Sequence, residues 1–239
     1  MSGVVAHLWP LLAGNPLIWL VLTLGSYLAG RALQNASGGV PIVNPVLVAI
    51  AVVIAALVAT GTPYRTYFAG AQLIHFLLGP ATIALAVPLA KHFALIRANL
   101  RSIGLALLAG SASAIIGGVA IVQMCGGSQV IALSMAPKAA TTPIAMAVSK
   151  QVGGMPELTA SLAILGGITA AIVGQWMFKI LAISDWRAQG LAAGVAGSGI
   201  AAAHVAAGNE TGAAFAAIGV GMNGLLTALL VPLLVALWH

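Results

Sequence analysis

The sequence predicts an all-α polytopic membrane protein, and three observations lead to this fold class. Of 239 residues, 61% are hydrophobic and 5% are charged, and the mean hydropathy is +1.11. A soluble domain carries about 25% charged residues, so this chain cannot cover a surface that faces water. Its apolar runs are nearly continuous and lack the alternation of a membrane β-barrel, which leaves helices as the spanning structure. We expect residues 1–239 to form a single integral domain in a lipid bilayer.

The charged residues and the cysteine exclude several other classes. The net charge is +6 and the pI about 10.1, but the nine basic residues are spread along the chain, so we expect no nucleic-acid partner. Cys125 is the only cysteine, which excludes an intrachain disulfide. The three acidic residues lie far apart, and no HExxH or GxSxG motif occurs. We therefore predict no metal, no cofactor and no enzymatic activity.

The N-terminal third predicts one interfacial segment and two spans. Residues 1–14 are too short to cross a bilayer and are expected at its interface. Residues 16–33 form the first span, in which Arg31 can reach the headgroups. No basic residue precedes Arg31, so this run is predicted to be retained and not cleaved as a signal peptide. Residues 41–61 form the second span, which a polar Thr-Pro-Tyr-Arg turn closes.

The remaining apolar segments continue this pattern to the C-terminus. Each has roughly the 20 residues that a span requires, and polar or basic residues separate it from the next. They are 67–91, 101–125, 128–150, 156–183, 189–207 and 211–237. Within 189–207, Gly190 and Gly194 have the GxxxG spacing that lets helix backbones approach closely.

Two of these segments, 67–91 and 128–150, are predicted to be broken or re-entrant. Proline removes a helical N–H donor, so we place helix breaks at Gly79 with Pro80, and at Pro137 with Pro143. Each segment has a small residue followed by proline, and then a second proline. Either the two are hairpins of an inverted repeat whose tips meet near the midplane, or the likeness is chance in a chain with 11 prolines.

The distribution of basic residues favours hairpins. If both segments cross the bilayer fully, five of the eight basic residues other than Lys138 fall on the side opposite the N-terminus. If both are hairpins, six of the eight lie on the N-terminal side, which is the stronger positive-inside bias. We therefore predict hairpins with the N-terminus inside.

Lys138 lies in the second break and is the leading candidate site residue. An ammonium at the bilayer centre costs roughly 2.5–3.5 kcal/mol on insertion scales, so a compensating partner is expected. The helix that restarts after a break also presents free N–H groups, which favour an anion. With Ser134, Thr141 and Thr142 as donors, Lys138 is predicted to hold a small carboxylate anion. The alternative is that Lys138 faces a water-filled vestibule and only sets its electrostatics.

Four further residues extend the predicted site. Thr82 follows the first break and is a candidate donor from the opposing half, unless that proline is only a structural kink. Asn223 is predicted to be a buried hydrogen-bonding residue and a substrate ligand. His75 and His204 are candidate proton carriers, because an unperturbed histidine titrates near a pKa of about 6.5. The alternative for His75 is a hydrogen-bonded interior residue.

Several motifs resemble the LrgB/CidB family over nearly the whole chain from about residue 15. They are Tyr67-Phe68-x-Gly70-Ala71, Phe76-Leu77-Leu78-Gly79-Pro80-Ala81-Thr82, Ala136-Pro137-Lys138-x-x-Thr141-Thr142-Pro143-Ile144-Ala145-Met146 and Gly153-Gly154-x-Pro156-x-Leu158-Thr159-Ala160. The resemblance implies a bacterial inner-membrane protein that modulates murein hydrolase export and autolysis with a holin-like partner of the LrgA/CidA type. Plastid relatives are glycolate/glycerate translocators, and bacterial relatives are linked to pyruvate uptake.

One part of the chain departs from that family. A histidine followed by a Gly-Thr-Ala-Arg-like run is usual in the late glycine-rich helix, whereas this chain has Ser198 at the histidine position and His204 at the arginine position. A substrate or proton role carried by those two family residues is therefore in doubt here.

Together, the residues and the resemblance predict an oligomeric, H⁺-coupled membrane transporter of small 2-hydroxy or 2-keto monocarboxylates such as glycolate, glycerate and pyruvate. The alternative is a non-transporting regulator of autolysis that acts with a holin-like LrgA/CidA-type partner.

Overall fold

The structure, a computed structural model, describes residues 15–38, 40, 43–84, 90, 91 and 93–238. The predicted interfacial segment, residues 1–14, lies outside this part. The described residues form helices and no strand, which confirms the all-α fold class. In chain order the helices are α1 Pro16–Ala36, α2 Pro45–Thr60, α3 Tyr64–Ala84, α4 Phe93–Ala98, α5 Leu100–Met124, α6 Gln129–Met135, α7 Thr142–Gln151, α8 Pro156–Ile180, α9 Trp186–Ala206 and α10 Glu210–Trp238.

Four of these helices are long and apolar enough to cross a membrane: α1, α5, α8 and α10. The described helix α2 is shorter, with 16 residues. These helices and the composition make the chain a multi-pass membrane protein. Whether the broken segments are re-entrant hairpins stays a prediction, as does the inside position of the N-terminus.

The chain separates into two compact units, residues 1–80 and 81–239. In the first unit, α1 begins at Asn15, whose side chain accepts a hydrogen bond from the Leu17 N–H at 3.0 Å. Trp19 is fully buried and its ring meets that of Tyr67 edge-on, with centroids 5.9 Å apart. A Cβ at Gly70 would lie 2.5 Å from the Pro16 carbonyl oxygen, so glycine lets α1 and α3 touch.

The prediction of a break at Gly79 and Pro80 is wrong, because α3 runs through both residues to Ala84. Pro80 removes only the hydrogen bond to the carbonyl four residues earlier, and the turns on either side keep the segment helical. Residues 85–89, in the second part of the predicted segment, lie outside the described residues. That the two proline segments meet therefore stays a prediction.

In the second unit, α9 and α10 pack closely because glycine lines their contact. A Cβ at Gly194 would clash with the carbonyl oxygen of Ala216, and one at Gly190 would clash with that of Gly212. This confirms the close approach predicted from the GxxxG spacing. Apolar side chains of α4, α5, α9 and α10 form one core beside this contact: Ile96, Ile103, Leu107, Leu191, Val195, Phe215 and Ile218.

Candidate functional site

The segment between α6 and α7 is a break in the helix, and Pro137 lies within it, fully buried. Tight turns carry the chain across: the Lys138 N–H donates to the Met135 carbonyl at 3.2 Å, and the Ala140 N–H to the Pro137 carbonyl at 3.0 Å. Pro143 occupies the second position of α7, where a proline needs no N–H partner. The prediction of a break at Pro143 itself is therefore wrong, because this residue starts a helix.

Buried hydroxyl groups hold the upstream side of the break. The Ser134 hydroxyl donates to the Val130 carbonyl at 2.7 Å and accepts from the Met155 N–H at 2.8 Å. Thr159, at 0% exposure, has its hydroxyl 2.9 Å from the Ser134 carbonyl oxygen and 2.7 Å from the Ser149 hydroxyl. The predicted substrate ligand Ser134 is thus fully buried and engaged in structural hydrogen bonds.

The downstream side of the break is held by Asn223 of α10, which is 1% exposed. Its amide nitrogen donates to the Ala139 carbonyl at 2.9 Å and to the Val195 carbonyl at 3.2 Å, and its Oδ1 accepts from the Ser111 hydroxyl at 2.6 Å. Both amide N–H groups are used, so Asn223 is a structural cross-link and cannot also donate to a substrate without losing one of these bonds.

The Val195 carbonyl lies just before an interruption of α9. Ser198 has φ 50° and ψ −141°, a non-helical conformation inside the helix. A positive φ is rare for a residue with a Cβ and costs on the order of 1–3 kcal/mol. Asn223 therefore joins two interrupted helices, at the α6–α7 break and at the kink in α9.

Lys138 projects from the break, is half-buried and has no charge partner among the described residues. None of the three carboxylates of the chain, all of which are described, forms an ion pair with it. Its stem passes α5 at Gly118, where a Cβ would lie 3.3 Å from the lysine Cε. The absence of a side chain at Gly118 leaves room for the lysine.

Two cavities of different character meet at Lys138. The first, the polar chamber, has a volume of about 670 Å³, and its polar lining residues are Asn99, Ser102, Lys138, Asp185 and Arg187. The second, the apolar chamber, has a volume of about 590 Å³ and is lined mainly by aliphatic and aromatic residues of α8 and α9. Lys138, Ala192 and Ala196 line both chambers.

Thr141 and Thr142 lie at the start of α7 and line neither of these chambers. The Thr141 hydroxyl oxygen is buried without a hydrogen-bond partner. In the first turn of α7, the N–H groups of Thr142 and Ile144 have no acceptor among the described residues. This end of α7 thus presents unpaired donors close in sequence to Lys138, a combination that favours an anion.

The remaining predicted site residues are Thr82, His75 and His204. The side chain of Thr82 is outside the described part of the chain. His75 is exposed on α3, in the other unit, and its ring meets that of Phe68 with centroids 5.5 Å apart. His204 is half-buried near the end of α9 and lines neither chamber. The described residues contain no group of three His, Cys, Asp or Glu that could hold a metal ion.

Sequence reasoning missed Ser111, Thr159 and Arg187. The first two are buried partners of the break, and Arg187 lines the polar chamber. Ser111 and Thr159 lie in apolar helices. A hydroxyl group in such a helix needs a hydrogen-bond partner, and this requirement could have identified both residues from the sequence. Arg187 had no such signal, because a basic residue beside a helix start usually faces solvent.

Comparison with known proteins identifies similar chains over most of the sequence. The LrgB-like family matches residues 23–237. The chain is 30% identical to the uncharacterized protein YxaC of Bacillus subtilis (strain 168), over 93% of this chain and 96% of that one. It is 31% identical to the antiholin-like protein LrgB of Bacillus cereus (strain B4264) and of Bacillus anthracis (strain CDC 684 / NRRL 3495), over 92% of this chain and 95% of each relative. No solved structure matches the chain.

Proposed function

Because this chain belongs to the LrgB-like family, we propose that it is an antiholin-like protein of the bacterial inner membrane. In this role it restrains murein hydrolase export and autolysis, and it acts with a small holin-like partner of the LrgA/CidA type. The observation that carries the proposal is similarity over nearly full length to relatives named antiholin-like, which share 95% of their own length with this chain. No catalytic step is part of this role.

The test is lysis of a bacterial strain that lacks its own proteins of this family. We expect expression of the chain together with a holin-like partner to slow detergent-induced lysis, and an affinity tag on either protein to recover the other from membranes. Lys138→Ala should leave both results unchanged, since assembly with a partner does not require a cation in the break. Unchanged lysis and no recovery of the partner, with the chain present in the membrane, would contradict this role.

A second candidate function is transport of small 2-hydroxy or 2-keto monocarboxylates, coupled to H⁺. The observation that favours it is the placement of Lys138, which forms no ion pair within the described part of the chain, projects from a helix break and lines two chambers. A half-buried ammonium in a membrane protein is costly, and a carboxylate of glycolate, glycerate or pyruvate size would neutralise it.

In this second function the residues of the break would have distinct roles. Lys138 would pair with the carboxylate, and the unpaired Thr141 hydroxyl with the Thr142 N–H would donate to it after a small movement of the break. His204, near the end of the kinked helix, would carry the coupled proton. Asn223 and Ser134 would position the break and not touch the anion.

Flux into liposomes separates the two functions. The purified chain, reconstituted alone, should take up radiolabelled glycolate or pyruvate under a pH gradient if it is a carrier. Lys138→Ala should abolish uptake, whereas Lys150→Ala, which removes an exposed charge at the end of α7, should leave it intact. No uptake by the chain alone, or equal loss in both variants, would contradict the carrier.

A further inference from the structure

The polar chamber is an open groove that runs along two helices towards Lys138. On α9, Ala188, Ala192 and Ala196 line it at intervals of four residues, beginning beside Arg187. From Arg187 to Ala196 the helix rises about 14 Å at about 1.5 Å per residue. On α5, the residues that line it are also four apart: Ser102, Ala106, Gly110 and Ala114. The next residue in that series, Gly118, contacts Lys138. The chamber therefore connects the polar start of α9 with the break.

Each end of the polar chamber has one cationic side chain, and the outer end also has an acidic one. Arg187 is exposed at the outer end and Lys138 is half-buried at the inner end. Asp185 also lines the outer end, and one of its oxygens accepts from the Arg187 N–H at 2.8 Å, as the cap of α9. Two cations and one anion leave the chamber with a net charge of +1, and the walls between its ends are mostly small and apolar. Such a chamber raises the local concentration of anions.

At the inner end the two chambers share three lining residues, Ala192, Ala196 and Lys138. The apolar chamber offers no second cation among its lining residues. An anion held at Lys138 would consequently keep its polar atoms on the side of the polar chamber.

We propose that the polar chamber is the access route by which a small hydrophilic carboxylate reaches Lys138, with Arg187 drawing the anion in and the small side chains of Ala192 and Ala196 leaving room for it beside Lys138. This assignment rests on the anion site of the second candidate function, but it concerns access and binding and does not require turnover. It assigns Arg187, Ala192 and Ala196 roles that the sequence motifs do not contain.

Thiol labelling tests the route in proteoliposomes. Cys125 is exposed and is the only cysteine, so Cys125→Ser provides a cysteine-free background. Into it we would introduce Ala192→Cys, where the two chambers meet, and, separately, Leu165→Cys, which lines only the apolar chamber. We expect the membrane-impermeant anionic reagent methanethiosulfonate ethylsulfonate to modify the first and not the second. No modification at Ala192→Cys would overturn the route.

The charge of the reagent tests the field inside the chamber. Labelling rates at Ala192→Cys would be measured with this anionic reagent and with its cationic trimethylammonium analogue, each relative to its rate with a free thiol. Arg187→Ala and Lys138→Ala should each lower the anionic-to-cationic ratio by roughly threefold or more, from Coulomb's law over about 10 Å. Lys179→Ala, which removes an exposed lysine outside both chambers, should leave it unchanged. If Arg187→Ala, Lys138→Ala and Lys179→Ala all have the same anionic-to-cationic labelling ratio, the proposed roles of Arg187 and Lys138 are wrong.

Competition tests the ligand class and the room that the small side chains leave beside Lys138. Millimolar glycolate should slow anionic labelling at Ala192→Cys severalfold, and less so when Ala196→Leu is added. Equal protection by uncharged ethylene glycol, or protection that survives Lys138→Ala, would overturn carboxylate binding at this site. Charge-selective labelling without any uptake would contradict only the carrier, whereas uptake with charge-independent labelling would contradict only the chamber.

Discussion

Replacement of Asn223 by alanine is the most informative perturbation of the break. The substitution removes the partner of three groups at once: the Ala139 carbonyl, the Val195 carbonyl and the Ser111 hydroxyl. Asn223 is 1% exposed, so water cannot readily replace its amide. The two interrupted helices would lose the cross-link that holds them together.

The magnitude follows from these three bonds. A buried polar group left unpaired costs about 1–3 kcal/mol in soluble proteins. Interhelical hydrogen bonds in membrane bundles average about 0.6 kcal/mol and reach about 1.7 kcal/mol. With about 1 kcal/mol for each group, Asn223→Ala should lower the free energy of unfolding by about 3 kcal/mol.

The assay is reversible unfolding in detergent micelles, followed by far-ultraviolet circular dichroism. Asn209→Ala is the matched control, because the Asn209 side chain makes one hydrogen bond to the described residues, accepting from the Gly212 N–H at 3.1 Å near the start of α10. Loss of that helix-start bond should cost about 1 kcal/mol. If Asn223→Ala lowers the free energy of unfolding by no more than Asn209→Ala does, Asn223 does not act as a cross-link.

Ser111 allows the bond between two helices to be measured separately. A double-mutant cycle of Ser111→Ala and Asn223→Ala should give a coupling free energy of about 1 kcal/mol, since the two side chains share one hydrogen bond of 2.6 Å. Strict additivity of the two single substitutions would mean that this bond contributes nothing to stability.

Four further substitutions test the packing and the strain of the second unit. Thr159→Val, which keeps the shape but removes the hydroxyl beneath Ser134, should lower the unfolding free energy by about 1–2 kcal/mol. Gly194→Ala should lower the yield of folded protein on size-exclusion chromatography, whereas Gly174→Ala should not, because a Cβ there meets nothing within 4 Å. Ser198→Gly should raise the unfolding free energy by about 1 kcal/mol, since it relieves a positive φ. Thr141→Val should keep the unfolding midpoint, because its buried hydroxyl has no partner to lose.

The elements of the fold were largely predictable from local sequence. Apolar length predicted α1, α5, α8 and α10, and the missing N–H of Pro137 agrees with the break where α6 ends. The same rule failed at Pro80, because one lost hydrogen bond does not end a helix whose neighbouring turns remain intact. Proline thus predicts a local weakness, and the surrounding turns decide whether the helix ends there.

The candidate site was only partly predictable, because some of its residues lie far apart in the sequence. Lys138 could be identified from the sequence because a charged side chain in an apolar membrane segment is energetically costly and is therefore usually functional. Arg187 could not be connected with it from the sequence, since 49 positions separate them and only the packing of α5 and α9 makes them line one chamber.

Composition and apolar length by themselves determined that this chain belongs in a membrane and where most of its helices run, because each helix closes its own backbone hydrogen bonds. The tertiary structure alone decided which polar groups face one another. Asn223 bonds Ala139, which is 84 positions away in sequence, and Val195, which is 28 positions away. The kink at Ser198 could not be predicted from a proline, because that position is a serine. These features depend on contacts between helices, whose geometry no local pattern of residues specifies.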